Sequence, residues 1–171
     1  MARNIEIKAR IASVEGLLPR ALALAGAAPV AIDQHDTFYR VPHGRLKLRR
    51  FGDGSAELIQ YQRADVADAK ASDYVRVPVA DADALHRALE RACGATGDVR
   101  KRRLLLLVDQ TRIHLDRVEG LGDFMELEVV LREGQSDAEG SVAAEALMRE
   151  LGLADAPRIA GAYADLPGPT P

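Results

Sequence analysis

Five segments of this chain carry charge on nearly every position of one face, and in four of them apolar residues fill the alternate positions. Ile5, Ile7, Ala9 and Ile11 interleave with Asn4, Glu6, Lys8 and Arg10, and Leu46 and Leu48 with Arg45, Lys47 and Arg49. Ile113 and Leu115 separate Arg112, His114 and Asp116, Leu127 and Val129 follow Glu126 and Glu128, and Lys101 and Arg103 share a face. Successive side chains of a strand point to opposite sides, so each segment divides an apolar environment from an ionic one. A solvated surface would explain one such strand. It explains five poorly, because the ionic positions carry almost no Ser, Thr or Gln and like charges on adjacent strands repel. A sheet that curls with its charges inside and its apolar side under helices accounts for all five.

The remaining signals fill in that sheet. Asp36 to Tyr39 reads as a second strand and Pro42-His43-Gly44 as the turn into Arg45 to Arg49. Gly52-Asp53-Gly54 forms a hairpin turn into Glu57 to Arg63, and Asp73 to Val79 is a weaker strand. Val99 to Val108 and Thr111 to Asp116 flank Asp109-Gln110, and Phe124 to Leu131 closes the series. One helix runs from Val14 to about Ala27 behind Ser13, with Pro19 shifting its start or kinking it. A second spans Asp83 to Cys93 before Gly94, and Ser136 and Glu139 form a capping box ahead of Val142 to Leu151. The pattern predicts an α+β fold, an eight-stranded antiparallel barrel with a charged lumen and flanking helices. Residues 1–166 form one domain, and 167–171 a disordered tail.

Composition enters as a set of exclusions. With 23 Lys+Arg against 26 Asp+Glu the net charge is -3, which argues against a generic nucleic-acid coat or a polybasic membrane binder. The single Cys93 excludes an intramolecular disulfide and a Cys-rich zinc module, and fits a reducing compartment. Arg3, Glu6, Lys8 and Arg10 leave no apolar signal region, so a soluble cytoplasmic protein is expected. Arg100-Lys101-Arg102-Arg103 flows directly into Leu104 to Val108 and reads as a strand with alternate residues in and out, not a nucleic-acid patch. His43 belongs to a surface turn, His86 to an exposed helix position, and His35 shows no partner.

A lumen of this kind suits a triphosphate, which carries about four negative charges whose oxygens Arg and Lys can hold. Glu126 and Glu128, two apart on one strand, project to the same side and can bind a hard cation together. Mg²⁺ or Mn²⁺ between them and the phosphates would neutralise charge developing in phosphoryl transfer.

These residues also resemble a known family. Asn4-Ile5-Glu6-Ile7-Lys8 is similar to the N-terminal ExExK signature of the CYTH superfamily, the triphosphate tunnel metalloenzymes. The segments His35 to Tyr39, Gly44 to Arg49, Leu58 to Tyr61, Val99 to Arg103, Arg112 to Asp116, Gly120 to Gly122 and Phe124 to Glu128 follow in the family's order. The Arg45 to Arg49 segment and Arg112 to Glu128 most resemble the class IV adenylyl cyclase branch. The resemblance implies an eight-stranded tunnel, a triphosphate substrate and two divalent metal sites. It makes Glu6, Glu126 and Glu128 metal ligands, with Asp116 beside them, so that Glu6, Lys8, Asp116, Glu126 and Glu128 form the catalytic set. Lys8, Arg45, Lys47, Lys101, Arg103 and Arg112 would hold the triphosphate. Arg63 is preferred as a phosphate contact to Lys70, which falls in a loop, and His114 is assigned a substrate or supporting role. Two strands depart from the pattern: Asn4 replaces the first signature Glu, and strand four offers Gln60 and Gln62 where relatives often carry Lys.

The function expected is a metal-dependent enzyme on a triphosphate, ATP favoured, most like a cyclase giving cyclic AMP and pyrophosphate. The alternatives are hydrolysis of inorganic or thiamine triphosphate, and non-catalytic binding of a triphosphate or nucleotide. A homodimer is compatible with either, and neither a membrane nor a nucleic-acid partner is expected.

Overall fold

In the computed structural model, which describes residues 2–64 and 66–166, the alternating segments close into a barrel. Its strands are β1 (Ala2–Arg10), β2 (Val30–Tyr39), β3 (Arg45–Phe51), β4 (Ala56–Arg63), β5 (Lys70–Pro78), β6 (Ala95–Val108), β7 (Thr111–Val118) and β8 (Gly122–Val130). They are ordered β1-β5-β4-β3-β2-β6-β7-β8, all pairs antiparallel, with β8 returning to β1. Closure leaves no free sheet edge. Registers such as Lys8↔Glu126, His114↔Glu126 and Asp36↔Arg49 place the charged positions of adjacent strands side by side.

The apolar faces point outward, and the main core lies between barrel and helices. Helices α1 (Val14–Ala25) and α3 (Asp137–Glu150) cover β1, β7 and β8, where Ile5, Ile7, Ile113, Leu115, Met125 and Leu127 are almost fully buried. Each such side chain stabilises the fold by roughly 1.5–3 kcal/mol. Gly140 lets α3 lie close to β1, because a Cβ there would sit 2.6 Å from side-chain carbons of Ile5 and Leu131. Helix α2 (Ala82–Cys93) covers Tyr39, Leu48 and Ala56 on the opposite wall, with Cys93 packed into that cluster.

Several boundaries differ from the sequence expectation. Helix α1 passes through Pro19 without ending and stops at Gly26, whose φ of 65° is left-handed. The Ser136–Glu139 capping box is present. Strand β2 begins at Val30, ahead of the predicted Asp36, because Val30 to His35 pairs with the long β6 although it shows no apolar–polar alternation. Strand β5 begins at Lys70 and so takes in a residue assigned to a loop. The tail at 167–171 lies outside the described residues. No helix among the described residues is long and apolar enough to cross a membrane.

Candidate active site

The lumen is a cup of about 330 Å³. Where β1 ends and β8 begins, it is floored by Phe38, Val99, Ala162 and Tyr163, which pack with Val118 and Phe124, all buried. Tyr163 belongs to a C-terminal 3₁₀ turn, Tyr163–Asp165, that folds back into this end. Its hydroxyl donates to Asp116 at 2.9 Å, and its ring lies under the Lys8 and Lys101 ammonium groups at 4.2 and 5.0 Å. Toward the opposite end the lining loosens: Ile32, Phe51, Tyr74 and Leu105 are half-buried and Arg76 is exposed. That end is the mouth.

Eight Lys or Arg and five Asp or Glu side chains line the cup, a local excess of three positive charges in a chain of net charge -3. Most are engaged with one another. Arg63 donates to Glu6 at 2.6 Å, and Glu126 receives Lys8 at 3.1 Å and Arg103 at 2.9 Å. Lys47 and Arg49 converge on Asp36 at 2.9 and 2.6 Å, and Arg112 reaches Glu128 at 3.3 Å. Buried charges tolerate loss of water only when paired in this way.

The pairing shifts the titrations. Burial, with Arg49 beside it, pulls Lys47 down to about 8. Burial and Arg103 pull Lys101 down to about 7. Burial raises Glu126, but Lys8 and Arg103 outweigh it and hold the carboxyl well below its usual range. Burial and the negative charge of Glu126 raise Glu6 against the pull of Arg63.

Of the residues singled out from sequence, Glu6, Lys8, Lys47, Arg63 and Lys101 line the cup, and so do Arg103, Arg112, His114, Glu126 and Glu128. Arg45 and Asp116 do not. Arg45 lines a neighbouring pocket behind the floor and forms an ion pair with Asp165 at 2.8 Å. Asp116 lies beneath the cup with no exposed surface, gripped by the Arg103 fork at 2.6 Å on both oxygens, by Lys101 and by Tyr163. Its chemistry is that of an anchor for those cations. Lys70, within β5 and opposite Glu6, gives its ammonium to the carbonyls of Val66 and Ala160 at 2.6 and 2.8 Å, tying the C-terminal segment to the barrel. On β4 the lumen face carries Glu57, Ile59, Tyr61 and Arg63; Gln60 and Gln62 are not on it. His35 does have a partner, Asp98 at 2.6 Å, and His86 meets the Tyr39 hydroxyl at 2.8 Å.

Sequence reasoning missed Asp36, Arg49 and Tyr163 as members of the site. Arg49 continued the Arg45-Lys47 alternation and could have been included. Tyr163 sits in an irregular Ala- and Gly-rich segment with no periodicity to expose it.

The donor set suits a divalent cation. One ligand atom each from His114, Glu126 and Glu128 lie within 4.8 Å of one another. The Oδ1 of Asn4 and the Nδ1 of His114, both buried, have no hydrogen-bond partner. Two carboxylates with a buried, unpartnered imidazole nitrogen beside them are what a bound cation would satisfy.

A family profile described as CYTH domain matches residues 2–163. Among solved structures, a protein from Pyrococcus horikoshii OT3 is 23% identical with a TM-score of 0.83, over 95% of this chain and 98% of that one. A candidate adenylate cyclase from Vibrio parahaemolyticus is 19% identical with a TM-score of 0.75, over 94% of each chain. A candidate adenylyl cyclase from Hippeastrum with a dominant triphosphatase activity is 16% identical with a TM-score of 0.66, over 96% and 93%. At these identities the likenesses establish the fold. A comparison with curated proteins finds no match.

Proposed function

The chain belongs to the CYTH domain family, the triphosphate tunnel metalloenzymes, and on that premise we propose that it converts ATP to cyclic AMP and pyrophosphate. The observation that carries this reading is that the two ends of the cup differ. Lys8 and Lys101 stand over the Tyr163 ring at the floor, while the half-buried Ile32, Phe51, Tyr74 and Leu105, together with Glu57 and Arg76, line it where the packing loosens. An inorganic anion has no use for an apolar rim; a nucleoside carried on a triphosphate does.

In this reading the deep cations hold the polyphosphate and the rim holds the base and sugar. Glu126 and Glu128 would hold Mg²⁺ or Mn²⁺, which supplies charge neutralisation and lowers the pKa of an attacking hydroxyl. The ribose 3′-oxygen forms a bond to the α-phosphorus as the α–β bridging bond breaks, and the hydroxyl proton leaves to solvent. Pyrophosphate departs with the bonding pair, and Lys47, Arg49, Lys101 and Arg103 bear the charge that gathers on it.

Hydrolysis is the second reading. The Hippeastrum protein of this fold has a dominant triphosphatase activity, and the same bed would serve a water nucleophile. Pure protein incubated with ATP, inorganic triphosphate or thiamine triphosphate, under Mg²⁺ and Mn²⁺ separately, decides between them. Cyclic AMP with pyrophosphate supports cyclisation, and orthophosphate supports hydrolysis. No cyclic AMP under either metal overturns the first reading, and binding without turnover leaves a triphosphate binder.

A further inference from the structure

We propose that His114 is a direct nitrogen ligand of the divalent cation, and that this nitrogen makes the site prefer Mn²⁺ to Mg²⁺. The inference rests on the reading of the cup as a metal site and adds its third donor and its selectivity.

His114 on β7 stands opposite Glu126 on β8. Its Nδ1 lies 3.6 Å from a Glu126 oxygen and 3.8 Å from a Glu128 oxygen, too far for a hydrogen bond to either. The side chain is only 5% exposed, and Nδ1 has no hydrogen-bond partner. A buried imidazole nitrogen that faces two carboxylates at ion-pair range, beyond hydrogen-bond distance of either, leaves a gap between the three that an ion could fill. Donor atoms about 2.1–2.2 Å from one ion, at angles between 90° and 120°, lie roughly 3.0–3.8 Å apart. The two separations from Nδ1, 3.6 and 3.8 Å, reach the upper end of that span.

The first strand gives the reason for a donor from β7. Asn4 brings no charge, and Glu6 is committed to Arg63 at 2.6 Å. Glu126 and Glu128 on β8 can supply charge to the cation, as both also meet lumen cations that a bound anion would take over, and the imidazole nitrogen nearest them is the Nδ1 of His114. Mg²⁺ takes oxygen ligands and keeps its waters, whereas Mn²⁺, Co²⁺ and Zn²⁺ accept imidazole readily. No other histidine lines the cup.

The test uses the full chain, free of any histidine tag and stripped of metal by chelation. Mn²⁺ is added alone and together with a bis-methylene analogue of inorganic triphosphate, which contains no nitrogen and resists cleavage. Pulsed EPR of the Mn²⁺ should show ¹⁴N modulation from one imidazole, and His114→Ala should abolish it. Calorimetry should show Mn²⁺ affinity falling on the order of 10–100-fold in His114→Ala, with Mg²⁺ affinity changing less than about 3-fold on the same scale. Glu128→Gln, which keeps the imidazole, should weaken both metals. Bound Mn²⁺ without ¹⁴N modulation in the wild-type chain overturns the proposal, and that measurement does not depend on any variant folding. Equal weakening of both metals by His114→Ala also overturns it. A ¹⁴N signal in a chain that turns over no triphosphate would support the ligand and remove the enzymatic reading. Turnover of ATP with no ¹⁴N signal would do the reverse.

Discussion

Tyr163 donates its hydroxyl hydrogen to Asp116 at 2.9 Å, although 47 residues separate them in sequence. The bond joins the C-terminal turn to the carboxylate that also holds Arg103 and Lys101, so the floor and the cationic bed share one anchor. Replacing Asp116 with Asn leaves two buried cations short of a counter-charge and should cost about 3–5 kcal/mol. Tyr163→Phe leaves the Arg103 fork in place and should cost about 1–2 kcal/mol. Urea midpoints at unchanged slope measure both.

The lumen cations are already paired with lumen carboxylates. A metal arriving alone strands the cations, and a triphosphate arriving alone strands the carboxylates. The two should therefore bind cooperatively, each raising the other's affinity on the order of 5–150-fold. Calorimetry of the triphosphate analogue with and without saturating Mn²⁺ measures the coupling, and independent binding would contradict it.

Triphosphate affinity should fall as pH rises through 7 to 9. Lys101 and Lys47, pulled down to about 7 and about 8 by burial and neighbouring arginines, are partly neutral there in the free protein. Bound phosphate raises both, so binding takes up protons and weakens once they must be drawn from more alkaline solution. Calorimetry in buffers of different ionisation enthalpy should register the uptake at pH 8.

Acid should unfold the protein through the same wall. Burial raises Asp36, Asp116 and Glu126, but facing cations outweigh it and hold all three below their ordinary values. Their folded pKa lies under the unfolded one, so their stabilisation is full above about pH 4–5 and drains away as pH falls through the folded value. Glu6, raised by burial and by Glu126, works in the opposite direction but alone. Melting temperature should drop steeply below pH 4.

The rim should discriminate substrates. Phe51→Ala removes an aromatic surface at the mouth and should raise the KM for ATP by about 10-fold, leaving that for inorganic triphosphate unchanged. Equal effects on both would mean the rim does not hold a nucleoside.

Period-two alternation made the barrel legible, because a charge opposite every apolar residue allows one closed arrangement and few others. It brought Lys47, Lys101, Arg103, Glu126 and Glu128 to one lumen without any knowledge of distance. What it could not separate was a charge that lines the cup from one that supports it. Asp116 obeys the same alternation as His114, yet a cross-strand arginine fork takes its oxygens. Arg45 obeys it too, but lies one step past the floor, where Asp165 captures it. The floor itself was invisible, since Tyr163 arrives from an irregular segment whose position depends on packing against Phe124 and Val99. Asp36 was hidden for a related reason: the strand from Asp36 to Tyr39 was legible, but both faces of β2 mix apolar and polar residues, so nothing marked Asp36 as facing the lumen.

The floor beneath Lys8 and Lys101 has a kinetic meaning. A vessel with one opening is emptied in the reverse of the order in which it was filled. In the cyclase reading the polyphosphate enters first and the nucleoside last, so cyclic AMP leaves ahead of pyrophosphate. The product that meets the most cations is then the one bottled deepest, and in that reading pyrophosphate should be the last to leave in each turnover.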